Sequence, residues 1–132
     1  MTGQAVARAT ATHLSVNLNI VERKFGYRFG TPNHDLDWAE DPPGGESMQE
    51  FIDRTRLGVM QACALGPCPA IVAHGGNLRV IAAGLGTDLP DGSVGNATPL
   101  KFTRNGGKWV LEFVGGIAAV TSTASASTTA VS

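Results

Sequence analysis

Apolar and polar positions change period several times along this chain, and each change marks a predicted element. Ser47-Met48-Gln49-Glu50 opens the clearest helix: the serine can cap the amide three residues on, and the glutamate can reach back to the serine amide. Met48, Phe51, Ile52, Val59 and Cys63 then recur at helical spacing, and Gly66 with Pro67 stops the helix. Residues 70–73 are apolar on both faces, the pattern of an interior strand in a covered sheet. His74 stands at the carboxyl end of that strand. Gly75 and Gly76 open a second amphipathic helix, which carries Leu78, Ile81, Ala82 and Leu85 and ends at Gly86. Residues 99–104 and 108–114 alternate around Asn105-Gly106-Gly107, a strong hairpin signal.

The remaining segments carry weaker patterns. Residues 4–14 are rich in Ala and Thr with a faint helical period, and residues 16–20 read as a short strand. Residues 25–45 carry prolines, glycines, Asn33 and Asp35 and have loop chemistry. From Gly115 the chain turns to Ala, Ser, Thr and Gly without charge, so residues 118–132 are expected to form a flexible tail behind a single domain over 1–117. The order helix, strand, helix, strand, helix, hairpin predicts an α/β layer architecture.

Composition narrows the function classes. A net charge of −1 gives no global attraction to nucleic acid or to an anionic membrane, so an anionic ligand would need local positive charge. No apolar run approaches the roughly 20 residues of a membrane span, and the start lacks a secretory signal, which leaves the cytoplasm as the default compartment. Two cysteines, Cys63 and Cys68, are too few for a zinc site and are expected to pack in the interior. No cofactor and no metal is implied.

The candidate chemistry centres on His74. Open α/β sheets place ligands beyond the carboxyl ends of their strands, and a helix amino terminus there offers free amides to an anion. Several segments extend this site into a family pattern. Arg8-Ala9-Thr10-Ala11-Thr12, Ile20-Val21-Glu22-Arg23-Lys24-Phe25-Gly26, Pro43-Gly44-Gly45-Glu46-Ser47 and Val72-Ala73-His74-Gly75-Gly76-Asn77-Leu78-Arg79 occur in that order. Asn96-Ala97-Thr98-Pro99 and Gly107-Lys108-Trp109 continue the match. Together they resemble the histidine phosphatase superfamily, the phosphoglycerate mutase-like fold, over roughly residues 4 to 114.

The resemblance implies a three-layer α/β/α sandwich and phosphomonoester hydrolysis through a phosphohistidine. By the same resemblance, Arg8 is a phosphate-binding arginine, Glu22 the general acid/base and His74 the second histidine, with the Gly75 amide as a further phosphate contact. Taken alone, Arg8 reads as a solvated arginine, Glu22 as an exposed loop carboxylate and His74 as a hydrogen-bonded structural residue. The family's nucleophilic Arg-His-Gly motif does not occur: the three histidines are His13, His34 and His74, and none stands between Arg and Gly. The chain therefore resembles an amino-terminally truncated domain, without the first, central strand and inactive by itself. His13 replaces the alanine common after Thr12, and Gly26-Tyr27-Arg28-Phe29-Gly30 departs from the family's Gly-x-Trp-Glu-Gly. His34 is expected to be a loop residue, and Glu46 to support the start of the helix. The expected partner is phosphate or a small phosphorylated substrate, with oligomerisation open. A non-catalytic phosphate-binding or interaction module and a mutase-type phosphotransferase are the alternatives.

Overall fold

The computed structural model describes residues 1–32, 35, 37–89 and 94–114. Three helices and a hairpin form a small α/β unit: α1 (Thr2–Thr10), α2 (Met48–Ala64), α3 (Gly75–Leu85), β1 (Leu100–Asn105) and β2 (Lys108–Phe113). Short 3-10 turns at Leu18–Ile20 and Gly26–Arg28 lie between α1 and α2. Residues 16–20, expected as a strand, instead close into the first of these turns. The Asn17 side chain accepts from the Asn19 amide at 2.9 Å, and this local bond competes with extended pairing.

The α2 start follows its sequence signal. Ser47 Oγ accepts from the Glu50 amide at 3.1 Å, and the Glu50 carboxylate accepts from the Ser47 amide at 2.9 Å. Phe51, Thr55 and Gly58 form the buried face of α2, while Leu78, Ile81 and Ala82 face inward from α3. Ile71, Leu78, Ile81 and Leu100 make the central apolar cluster, with Ile20, Val59, Phe102 and Leu111 packed around it. Cys63 and Cys68, expected inside, are both exposed. The inward stripe of α2 passes through Phe51, Thr55 and Gly58, which leaves Cys63 near the helix end outside it.

The hairpin forms with Leu100 opposite Phe113, Phe102 opposite Leu111 and Asn105 opposite Lys108. Its two-residue loop is Gly106-Gly107, both at positive φ, as a type I′ turn requires; Asn105 ends the strand and does not enter the turn. This hairpin is the only sheet among the described residues. Residues 70–73, read as an interior strand, form no ladder there, and Ile71 alone makes a bridge. An apolar run with strand chemistry cannot become a sheet strand without neighbours for its amides and carbonyls. The described elements accordingly do not build three layers. The expected tail at 118–132 and His34 fall outside the described residues. Among those described, no helix is long and apolar enough to cross a membrane.

Candidate active site

Two buried or half-buried arginines set the backbone that carries Glu22. Arg54, on α2, donates to the Asn19, Val21 and Glu22 carbonyls at 2.9, 3.0 and 3.4 Å. The same guanidinium grips the Glu46 carboxylate through Nε at 2.6 Å and Nη2 at 2.8 Å. Such a two-pronged pair is stronger and more directional than a single bond. It holds the Glu46 carboxyl below its ordinary pKa of 4.5. Glu46, expected to support the helix start, also accepts from the Lys24 amide at 3.3 Å.

Arg23, the neighbour of Glu22, is 3 % exposed. Its guanidinium donates to the carbonyls of Trp38, Glu40 and Glu46 at 2.7, 2.9 and 3.1 Å, and to the Asp41 carboxylate at 3.3 Å. One cation thus gathers the loop before α2 and fixes Trp38, whose ring meets Phe25 edge to face at 5.0 Å. Gly26 completes the junction: at φ +55°, a Cβ there would come within 2.5 Å of the Pro43, Gly44 and Gly45 backbone. Two separated motifs, one around Phe25-Gly26 and one around Pro43-Gly44-Gly45, are therefore halves of one contact.

The start of α3 docks onto this frame. His74 caps the helix in extended conformation, and its amide donates to Asn77 Oδ1 at 3.3 Å. Asn77 Nδ2 donates to the Val21 carbonyl at 3.2 Å and to Thr55 Oγ1 at 3.0 Å. Asn77 and Thr55 are both fully buried, so these bonds also prevent an unsatisfied polar core. Glu22 is held from the other direction. Its carboxylate accepts from the Arg23 amide at 2.9 Å and from the Gly76 amide at 3.4 Å. A Cβ on Gly76 would strike that carboxylate and lie 2.9 Å from the Trp38 ring, so the approach depends on glycine.

Glu22 and His74 thus converge on the first turn of α3. His74 and Gly75 are exposed, and no atom lies within 4 Å of a Cβ built on Gly75. The two glycine amides differ: that of Gly76 donates to Glu22, whereas that of Gly75 donates to no acceptor among the described residues. An incoming anion would meet the Gly75 amide and the positive helix end there. Arg8 is not joined to this pair by any hydrogen bond or ion pair among the described residues. It sits exposed on the last turn of α1, whose Gly3 rests near Leu14 and Val72. Among the described residues, no cluster of three His, Cys, Asp or Glu side chains could hold a metal ion.

Four residues that build this site, Arg23, Trp38, Arg54 and Asn77, escape a reading of the sequence for chemistry. Arg23 and Asn77 stand inside the quoted motifs, directly after Glu22 and three residues after His74. That adjacency was the available signal. Arg54 had none, because its partners lie 8 to 35 positions away.

No match to a curated protein or to a solved structure was found. The family model for the histidine phosphatase superfamily (branch 1) matches residues 2–115. It spans every segment that meets at the start of α3, and more than half of the 132 residues. This chain therefore belongs to the histidine phosphatase superfamily.

Proposed function

We propose that this chain handles the phosphoryl group of a small phosphomonoester, with Glu22 as general acid/base and His74, the Gly75 amide and Arg8 as phosphate-binding groups. The observation that carries this reading is the convergence of Glu22 and His74 on one helix terminus, locked through Gly76 and Asn77. Phosphoryl transfer demands positioning and charge stabilisation above all, and that terminus supplies both.

None of the three histidines here lies in an Arg-His-Gly sequence, so on this reading a segment bearing that motif supplies the attacking histidine. In the complete site its ring nitrogen attacks phosphorus, the ester P–O bond breaks, and Glu22 gives its proton to the leaving oxygen. Glu22 then takes a proton from water, whose oxygen attacks the phosphohistidine and releases phosphate and free histidine. Residues 70–73, which have strand chemistry and form no ladder among the described residues, are where a further strand bearing that motif would pair towards a three-layer sandwich.

The test is a titration of the 15N-labelled chain with inorganic phosphate. The expected result is amide shifts centred on Gly75, weakened about tenfold or more by His74→Ala and by Gly75→Pro. Proline is accepted at a first helical position and removes only the amide in question. No shift at residues 74–76 would refute the reading. The chain alone should not hydrolyse an aryl phosphate, and hydrolysis abolished by His74→Ala would overturn the assignment of the nucleophile. The absent nucleophile fits a non-catalytic phosphate-binding module equally well. Recovery of hydrolysis on adding a segment with Arg-His-Gly decides for the enzyme.

A further inference from the structure

A cavity of about 400 Å³ opens between α2 and α3 beside Trp38. Its walls are chiefly apolar, including Met48, Phe51 and Ile52 from one side and Val80 and Ala83 from the other. Ligand sites for small molecules have this size and character. Two cations, Arg56 on α2 and Arg79 on α3, also line it. Both are exposed, and neither guanidinium has a hydrogen bond or ion pair among the described residues. Arg23, Arg28 and Arg54, by contrast, each hold a carboxylate. An apolar hollow flanked by two uncommitted arginines is complementary to an apolar molecule that ends in an acidic group.

The cavity adjoins the candidate active site through two shared residues. Gly76 lines it and also donates its amide to Glu22, while Trp38 lines it with its ring edge against Gly76. Along α3, Arg79 follows Gly75 by four residues, which is about 6 Å of helix rise and brings it round to the same face. A phosphate at Gly75 and a second anion at Arg79 are thus separated by the length of an aromatic ring or a short chain.

We infer that this cavity binds the alcohol part of the phosphomonoester, and that this part is apolar and carries a second acidic group paired with Arg56 and Arg79. The inference rests on the phosphate site proposed above and adds the substrate class. Three probes separate the two: inorganic phosphate, 2-naphthyl phosphate and 6-phosphonooxy-2-naphthoate, each titrated into the full 15N-labelled chain. Phosphate should shift only residues around Gly75. Naphthyl phosphate should bind about tenfold tighter and add shifts at residues 51–56 and 80–84 and at the Trp38 indole. The carboxylated ester should gain about a further tenfold, and the double variant Arg56→Gln, Arg79→Gln should erase that gain. Gly84 lines the cavity with open space above its Cα, so Gly84→Leu should fill the hollow and bring the ratio of naphthyl phosphate to phosphate affinity to about one. Naphthyl esters that bind no tighter than phosphate, or a gain that survives both variants, overturn the inference while the phosphate site stands. If phosphate itself fails to shift Gly75, the phosphate site falls, and the substrate class falls with it.

Discussion

The acid half of the candidate site and its cationic half are held in different ways. Glu22 is fixed by the Arg54 guanidinium of α2 on its carbonyl and, on its carboxylate, by the neighbouring Arg23 amide and the Gly76 amide of α3. Arg8 stands on α1, a helix with no buried residue, and holds nothing among the described residues. The segment that follows α1 also leaves Val16 86 % and Leu18 75 % exposed. The chain's own contacts thus aim Glu22, whereas Arg8 is left without a side-chain partner among the described residues.

The largest test of this contrast is on stability. Arg54→Ala removes a carboxylate pair and three carbonyl contacts at once, leaves Glu46 with the Lys24 amide but no cation, and should cost about 3 kcal/mol or more in urea unfolding. Arg8→Ala should change stability by no more than about 0.5 kcal/mol. Equal losses would erase the distinction between the halves. Asn77→Ala comes next, at about 2 kcal/mol, because the Val21 carbonyl, Thr55 hydroxyl and His74 amide lose a buried partner together.

Gly76→Ala should destabilise by about 1.5 kcal/mol, since Glu22 and Trp38 must both move. Gly75→Ala, next door in open space, should be neutral or stabilising by up to about 1 kcal/mol. Matching effects at the two glycines would show that Glu22 is not docked on α3. The smallest expected effect is with pH. The Glu46 carboxyl is held below its ordinary 4.5 chiefly by the Arg54 hydrogen bond. Its contribution is therefore complete above that value and is lost as pH falls through the lowered one, while Arg54 stays charged. Thermal unfolding of Glu46→Gln should accordingly vary less across the acidic range than that of the parent chain. A parallel pair of curves would remove Glu46 from the clamp.

How far the site was legible depended on whether its signal was local. The α2 cap, the α3 start at His74, its Gly86 stop and the hairpin at Gly106-Gly107 follow from neighbours within a few residues. The residues quoted in order also carried the family, which the match over 2–115 establishes. Residues 70–73 were read by the same kind of pattern and form no ladder among the described residues. Alternation and apolarity say that a segment can enter a sheet, but a strand exists only when another strand satisfies its backbone. Cys63 shows the same limit on a helix, where a helical period places residues on a stripe but packing chooses which stripe goes in.

By itself, then, the sequence determined α2, α3 and the hairpin, through caps, glycines and periodicity, and through its family resemblance named Glu22 and His74 among the candidates. Only the tertiary structure decided that these two meet at one helix terminus. It also decided that Arg23, Arg54 and Asn77 hold them there, while Arg8 stays apart. The physical reason is range: a cap or a turn is satisfied by residues three or four positions away, whereas Gly76 bonds Glu22 across 54 positions. A contact of that range exists only after the chain has closed the intervening loop, and its local pattern leaves no trace of it.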